Sequence, residues 1–436
     1  MIEKIEIKGL FGSFDYDIRL PEEGEVMLLT GPNGYGKTTI LRIVAYLLEG
    51  DLLPIRSIPF KEMEIVYQLG KLILKYVQPE KELGGDIEFH SISDGDLDMS
   101  FHILTGGEDK IINFGRVGEE RIRRAKRKSH INEWDDLYFH EGNYYNATSN
   151  SVKETEEKIR EKDKKILEGM AQTAEQKTFL IQYNSSLQLC RLVPSQRLYN
   201  IGNNTHENTI ESVSNDFSQF LRNLYFDFLR GSQSRDSNFI HTLLDGNESI
   251  GEKEYNLKVN ELRDVVRKAQ HYDLLDNLKL PAYKEGKGTI LNYYIEEATQ
   301  KLKIYRKPIA ELDLFSRLLD NKRMVNKRIE FSRRHGIRFR STDRDLLIDI
   351  NKLSSGEKNE IIMLHDFIFN LKEGSFLLVD EPEISLHVAW QHEFMDDLEE
   401  IAKQKRLRVV VATHSPQIIG DRWDNCYDLK EQTEDF

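Results

Sequence analysis

The chain has 436 residues, of which 39% are hydrophobic and 31% are charged. This length exceeds one ordinary hydrophobic core, so we expect two or three domains, and the composition excludes disordered and fibrous proteins. The net charge of −13 disfavours nucleic-acid binding over the whole surface, although a local basic patch can still bind phosphate.

Membrane and disulfide-stabilised classes are also disfavoured. The sequence has no apolar stretch of membrane length and no secretory segment after Met1, which predicts a cytoplasmic protein without a membrane partner. The only two cysteines, Cys190 and Cys426, are far apart and lack metal-binding spacing. This argues against a structural zinc site and a disulfide framework.

Strand patterns surround the first glycine-rich segment. Alternating apolar and polar residues predict half-buried strands at 2–9 and 14–20. Further on, residues 64–77 predict a hairpin that turns at Gly70, and short strands are predicted at 87–92, 99–104 and 110–114. Together these segments predict an antiparallel sheet attached to the core that follows.

The glycine-rich segment follows an apolar strand and precedes an apolar-periodic helix, as a phosphate-binding loop does. Glycines let the backbone wrap a triphosphate and present N–H donors at a helix N-terminus. In this arrangement Lys37 reaches the β- and γ-phosphates, and the Thr38 hydroxyl binds Mg²⁺. The predicted nucleotide-binding residues here are Gly31, Asn33, Gly34, Gly36, Lys37, Thr38 and Thr39.

The middle of the chain changes character twice. Residues 119–178 are polar and helical, with a basic octet at 121–128; a solvated helical arm and a nucleic-acid-binding tract are both open interpretations. Strand character returns at 179–194 and ends in a loop that contains Gln196. From 208 to 324 amphipathic helical patterns predict a second, helical domain.

A basic stretch, residues 322–344, alternates around His335 and Gly336 and predicts a hairpin. Its arginines are explained equally well as the solvent-facing side of that hairpin or as a contact surface for nucleic acid.

Three polar clusters follow at the ends of predicted elements. Ser355 and Gly356 begin a helix, where free N–H groups make either an ordinary cap or an anion site. An apolar strand ends in Asp380 and Glu381. Asp380 is suited to bind Mg²⁺, and Glu381 is suited to act as the base that orients an attacking water. The alternative interpretation is that both acids simply face solvent. A second apolar strand ends in His414, which can reach a γ-phosphate, although a lone histidine is more often structural.

These motifs resemble those of the ABC-type ATPase heads of the RecF, SMC and OLD-like group. The resemblance is carried, in order, by the phosphate loop, Leu353-Ser-Ser-Gly-Glu, Leu-Leu-Val-Asp380-Glu-Pro-Glu and Ala-Thr-His414-Ser-Pro. It departs at Val388, where the family usually has proline. The resemblance implies an α/β fold: a P-loop ABC-type ATPase head, with a mixed sheet and an antiparallel β subdomain, into which a helical arm and a helical domain are inserted.

The resemblance also implies domain boundaries and a mechanism. The head comprises 1–118, 179–207 and 325–436, with the arm at 119–178 and the helical domain at 208–324. ATP and Mg²⁺ are the expected ligands, held in a head-to-head homodimer or higher homo-oligomer between one subunit's phosphate loop and the other's Ser355 and Gly356. Gln196 resembles the family's glutamine that senses Mg²⁺ and water, and Gln68 is the poorer candidate.

Domain layout suggests a cellular role by analogy. OLD-like nucleases carry a metal-dependent nuclease domain after the head, whereas only a short segment follows His414, so we expect no nuclease chemistry in this chain. The layout resembles the ATPase subunits of anti-phage systems such as PARIS, Septu and ATPase-bearing retrons. We therefore expect a nucleotide-dependent switch that controls a separately encoded effector nuclease or toxin. The alternatives are a DNA-repair or SMC-like ATPase that binds DNA directly and, less well matched, a transporter ATPase.

Overall fold

The computed structural model describes residues 2–50, 52, 54–67, 70–77, 96–105, 108–117, 190–193, 209–245, 248–320, 324–384, 386 and 388–434. Several predictions lie outside these residues: the strand at 87–92, the arm at 119–178 with its basic octet, and both candidate glutamines, Gln68 and Gln196. No helix in the described ranges is long and apolar enough to cross a membrane.

The described residues form strands and helices with the following bounds. The strands are β1 Ile2–Leu10, β2 Phe14–Arg19, β3 Val26–Thr30, β4 Glu62–Tyr67, β5 Gly70–Val77, β6 Asp96–Thr105, β7 Glu108–Val117, β8 Cys190–Val193, β9 Lys327–Ser332, β10 Gly336–Ser341, β11 Leu347–Ile348, β12 Phe376–Asp380, β13 Arg408–Ala412 and β14 Cys426–Asp428. The helices are α1 Lys37–Glu49, α2 Thr209–Asp245, α3 Glu252–His271, α4 Gly288–Leu302, α5 Arg306–Asp320, α6 Ser355–His365, α7 Val388–Lys405, α8 Pro416–Ile419 and α9 Glu431–Glu434. A π-helical turn, Asp366–Asn370, continues α6.

The chain divides into two compact units, one made of Met1–Asn204 and Leu371–Phe436 and the other of Thr205–Asn370. The second unit contains the predicted helical domain together with residues 325–370, which the domain prediction had assigned to the head. The hairpin and the Ser355 helix therefore belong to the same compact unit as the helices.

The first unit contains an antiparallel sheet with strand order β2-β1-β4-β5-β6-β7. Its inner face follows the period-2 pattern seen in the sequence: Ile5 pairs with Ile18 on one side and with Ile65 on the other, and all three are buried. The strands predicted at 2–9, 14–20, 99–104 and 110–114 and the two arms of the hairpin at 64–77 are confirmed.

A second sheet in this unit has the order β14-β3-β13-β12-β8, and every neighbouring pair is parallel. Strands β12 and β13 are buried at every residue, which explains why their sequences are continuous apolar runs instead of alternating ones. Helix α1 packs on β8, β12 and β13. Because the strands are parallel, β3, β12 and β13 all end at the same edge, and the predicted site residues follow those ends.

The second unit combines helices α2–α6 with a small antiparallel sheet of order β11-β10-β9. An aromatic cluster forms its core: the Phe217 ring lies 5.1 Å from that of Phe315, 5.6 Å from that of Phe331 and 4.9 Å from that of Phe369. Phe217 is buried, whereas Phe226 on the same helix is exposed. Core packing therefore accounts for Phe217.

The turn of the predicted hairpin at His335 and Gly336 packs against helix α2. The Ser214 hydroxyl donates to the His335 carbonyl at 2.9 Å, and the Ser218 hydroxyl donates to the Arg333 carbonyl at 2.8 Å. Gly336 has φ 71°, and a Cβ placed there would lie 1.7 Å from the Ser214 carbonyl oxygen. Glycine is required both for the backbone conformation and for the close approach of the helix.

Replacing Gly336 with alanine should therefore destabilise the protein by about 3 kcal/mol or more, since it adds a backbone clash to the left-handed strain. Gly286→Ala is a matched control, because Gly286 has φ 75° but nothing within 4 Å of an added Cβ; it should cost only about 1 kcal/mol. Thermal denaturation of both variants measures the difference, and equal losses would show that the hairpin turn tolerates displacement from α2.

Candidate active site

The loop between β3 and α1 has the backbone conformation expected of a phosphate-binding loop. Gly31, Gly34 and Gly36 have φ values of 142°, 90° and 88°, a region that other residues rarely adopt. Gly36 is the N-cap of α1, and no side chain caps that helix. The positive end of the helix dipole and its first N–H groups therefore lack the side-chain oxygen that usually satisfies them, which suits an anionic ligand. Asn33 is exposed on this loop, and Thr39 is half-buried in the first turn of α1.

Lys37 is the first residue of α1 and is folded over the loop. Its Nζ donates to the carbonyl oxygens of Gly31 at 2.8 Å and Pro32 at 3.2 Å, and the residue is only 5% exposed. These carbonyls accept from two of the three ammonium N–H groups but carry no formal charge, so the ammonium charge remains available to a phosphate.

Thr38 and Asp380 meet across the parallel sheet. The Thr38 hydroxyl donates to the two carboxylate oxygens of Asp380 at 3.1 and 3.0 Å, although the residues are 342 positions apart. Asp380 is 4% exposed, and burial raises the pKa of its carboxyl group. The neighbouring Glu381 raises this pKa further, while the Thr38 hydrogen bond and the charges of Arg42 and Lys37 lower it.

This pair fits the predicted magnesium site. A hydroxyl and a carboxylate are hard oxygen ligands, and Mg²⁺ is typically held by one or two such protein groups together with phosphates and water. The raised pKa of Asp380 shows that the neighbouring cations do not fully compensate its buried charge. A divalent cation between Thr38 and Asp380 would supply that compensation.

Glu381 follows Asp380 with a strained backbone. Its φ is 47°, and its N–H donates to the Ala412 carbonyl at 2.8 Å, which ties the end of β12 to the end of β13. The carboxylate is 23% exposed and lies 3.6 Å from His414 Nδ1. Glu381 is thus accessible to water, as a base that orients water must be.

Sequence reasoning missed the residue that contacts His414 most closely. Glu383 Oε1 lies 3.3 Å from His414 Nδ1 and accepts hydrogen bonds from the Thr413 hydroxyl at 2.9 Å and the His414 backbone N–H at 3.1 Å. The available signal was a third acid, three positions after Asp380, in the loop that leaves the same strand.

Ser355 and Gly356 lie in the second unit, at the start of α6. The cap itself is Ser354, which forms a capping box with Glu357: each side chain accepts from the other's backbone N–H. Glu357 also pairs with Lys327 at 2.6 Å. The capping residue is therefore Ser354 and not a member of the predicted Ser355-Gly356 pair; Ser355 in the first turn is exposed, and Gly356 is half-buried.

Four of the seven basic residues described between 324 and 344 form ion pairs within their own unit. The ion pairs join Lys327 to Glu357, Arg328 to Asp345, Arg333 to Asp273 and Asp276, and Arg340 to Glu330. The Arg333 guanidinium also lies 4.1 Å from the centre of the Tyr225 ring. Part of the positive charge of the hairpin is therefore paired within the fold, whereas Arg334 and Arg344 are exposed.

A family model for the AAA ATPase domain matches residues 1–419, which include every predicted site residue. The chain belongs to the AAA ATPase domain family. Its predicted α/β fold, a P-loop ATPase head with an antiparallel β subdomain and additional helices, is confirmed. The core sheet, predicted to be mixed, is parallel at every neighbouring pair of strands that the structure describes. A search of curated proteins found no match.

This member of the AAA ATPase domain family is also similar to solved structures of SMC heads. The first is an SMC head bound to the C-winged helix domain of ScpA, which is 14% identical over 98% of this chain and 91% of that chain, with a TM-score of 0.34. The second is an Smc head with an extended coiled coil bound to the C-terminal domain of ScpA derived from Pyrococcus furiosus, which is 16% identical over 98% of this chain and 91% of that chain, with a TM-score of 0.36. The third is the SMC head domain from Thermotoga maritima, which is 12% identical over 98% of this chain and 92% of that chain, with a TM-score of 0.31.

The raised pKa of Asp380 predicts how stability depends on pH. Because the folded-state pKa lies above the unfolded value, ionisation disfavours the folded state, and stability decreases as pH rises from the ordinary carboxyl range through the raised pKa. Asp380→Asn removes this penalty, so its unfolding midpoint without nucleotide should exceed that of the unmodified protein at neutral pH, with a smaller difference in mild acid.

Thermal denaturation at neutral pH and in mild acid measures the unfolding midpoints of both proteins, and the exposed Asp421→Asn is the matched control. The rise in midpoint caused by ATP with Mg²⁺ should also be lost in Asp380→Asn. A lower midpoint for Asp380→Asn at neutral pH would mean that neighbouring groups already compensate the carboxylate.

Proposed function

We propose that this protein binds ATP with Mg²⁺ and hydrolyses it. The observation that carries the proposal is the Thr38–Asp380 contact, because it joins the phosphate loop to the acidic strand and places two magnesium-type oxygen ligands beside Lys37. Membership of the AAA ATPase domain family supports the same conclusion.

Each residue has a role that follows from its surroundings. The loop glycines and the uncapped start of α1 bind phosphate oxygens, and Lys37 offsets the charge that accumulates on them. Thr38 and Asp380 hold Mg²⁺, which withdraws charge from the terminal phosphates when it is bound. Glu381 orients the attacking water, and His414 contacts the terminal phosphate. Gln196 remains a proposed further ligand to Mg²⁺ and water.

Lys37→Ala should abolish ATP hydrolysis, because it removes the charge partner of the phosphates. Glu381→Gln should lower kcat by about 100-fold or more while preserving ATP binding, because it removes the base and leaves the phosphate contacts intact. Steady-state phosphate release and fluorescent-nucleotide binding measure the two effects, with the exposed Glu3→Gln as a control. Hydrolysis by Glu381→Gln at the parental rate would refute its assignment as base.

We further propose that two chains share each ATP, with Ser355 and Gly356 of one subunit completing the site of the other. In support, Ser355 is exposed in the first turn of α6, and the helix is already capped by Ser354. The Ser355 hydroxyl and the positive end of the helix dipole are then free to face a ligand on a second molecule.

ATP should therefore drive association of Glu381→Gln, and Ser355→Arg in the same background should prevent it, because a bulky side chain fills the first turn. Sedimentation velocity with and without ATP measures the assembly, and Ser249→Arg at an exposed position of the same unit is the matched control. A distribution that ATP leaves unchanged would eliminate the shared site.

We also propose that the hydrolysis cycle acts as a switch on a separate effector, such as a nuclease or toxin of an anti-phage system. The support is analogy of domain layout, together with the pairing of four of the hairpin's basic residues within their own unit, which lowers the positive charge available to DNA. Affinity purification of the unmodified chain and Glu381→Gln should recover a stoichiometric partner whose retention differs between them. A partner-free chain that binds duplex DNA with steep salt dependence would instead favour the SMC-like alternative.

A further inference from the structure

The carboxylate of Glu383 is an unexplained acid at the candidate site. It follows β12 in a short 3₁₀ turn, Pro382–Ile384, and its side chain is only 9% exposed. Among the residues that the structure describes, none forms a hydrogen bond with its buried Oε2 atom, whereas Oε1 accepts from the Thr413 hydroxyl and the His414 backbone N–H. A buried carboxylate that uses one oxygen so heavily is costly unless it performs a task there.

The surroundings hold Glu383 rigidly. Gln391, itself buried, donates to the carbonyl oxygens of Glu383 at 3.1 Å and Leu386 at 3.2 Å, which fixes the turn. The Thr413 hydroxyl donates to Glu383 Oε1 and accepts the Ser415 N–H at 3.0 Å, so the same network shapes the backbone around His414.

The contact with the imidazole goes beyond this structural role. Tying the turn to β13 requires only the Thr413 hydroxyl and the His414 N–H, yet Oε1 also lies 3.3 Å from His414 Nδ1. The His414 side chain is 47% exposed, so burial does not hold its ring in place. Glu381 Oε1 is farther from Nδ1, at 3.6 Å.

We propose that Glu383 is a positioning residue for the ATP hydrolysis proposed above. Oε1 and Nδ1 lie 3.3 Å apart, and because an ionised carboxylate only accepts hydrogen bonds, a hydrogen bond between them requires the proton on Nδ1 of His414 and fixes the ring orientation. Nε2 is then the nitrogen presented to the terminal phosphate. Since Glu383 occupies Nδ1, the Glu381 carboxylate is left free to orient water.

A double-mutant cycle tests whether Glu383 acts on ATP hydrolysis through His414. Glu383→Ala should lower kcat by about 10-fold or more with little change in KM, and Glu383→Gln, which keeps an oxygen acceptor, should recover part of the loss. In a His414→Ala background neither Glu383 change should lower kcat further, because the group that Glu383 positions is gone. Glu285→Gln, at an exposed position, controls for loss of charge.

Proton-detected correlation spectra of ¹⁵N-histidine-labelled protein give a readout that needs no hydrolysis. The signal that disappears in His414→Ala should show the Nδ1–H tautomer, and it should shift or average in Glu383→Ala. Equal kcat losses in both backgrounds, or an unchanged imidazole signal, would overturn the proposal for Glu383. An unmodified chain that does not hydrolyse ATP would refute the proposed function separately, and the imidazole signal would still decide the role of Glu383.

Discussion

The contact between Thr38 and Asp380 is the interaction on which the candidate site depends. The strand order places β13 between β3 and β12, so the loop that follows β3 must span one strand to bring Thr38, at the start of α1, to the end of β12. Helix α1 is held in this position by packing its buried face on β12 and β13. The apolar packing of α1 thus provides the geometry in which two polar motifs meet.

That geometry places the Asp380 carboxylate in a buried position, where the fold alone would not favour a charge. Asp380 is buried with a raised pKa, and Glu381 beside it has a left-handed backbone. Both features disfavour the folded state without a ligand, and such features concentrate at functional sites because ligand binding compensates them. The same reasoning explains the uncapped start of α1, whose N–H groups lack a side-chain partner.

Local patterns were sufficient to predict the elements that carry these residues. Alternating residues identified β1 and β2, continuous apolar runs identified β12 and β13, and glycine spacing identified the loop before α1. The sequence could not show that the basic hairpin belongs with the helices, because Asp273, which pairs with Arg333, is far from the hairpin along the chain. The close approach of Gly336 to Ser214 is equally invisible in a linear pattern.

Glu383 illustrates a second limit of prediction from sequence, since a motif identifies residue types but not the hydrogen bonds that each side chain forms. From sequence, Glu381 and Glu383 are two similar acids after one strand. In the structure, Glu381 is accessible and makes only a long contact with His414, whereas Glu383 is buried and accepts from the Thr413 hydroxyl and the His414 backbone. Two acids beside one histidine can therefore have different roles. The buried Glu383 is restrained enough to orient the ring, and the accessible Glu381 can still contact water. Their exposure and hydrogen-bond partners, more than their chemical type, distinguish the acid proposed as base from the acid proposed to orient the ring.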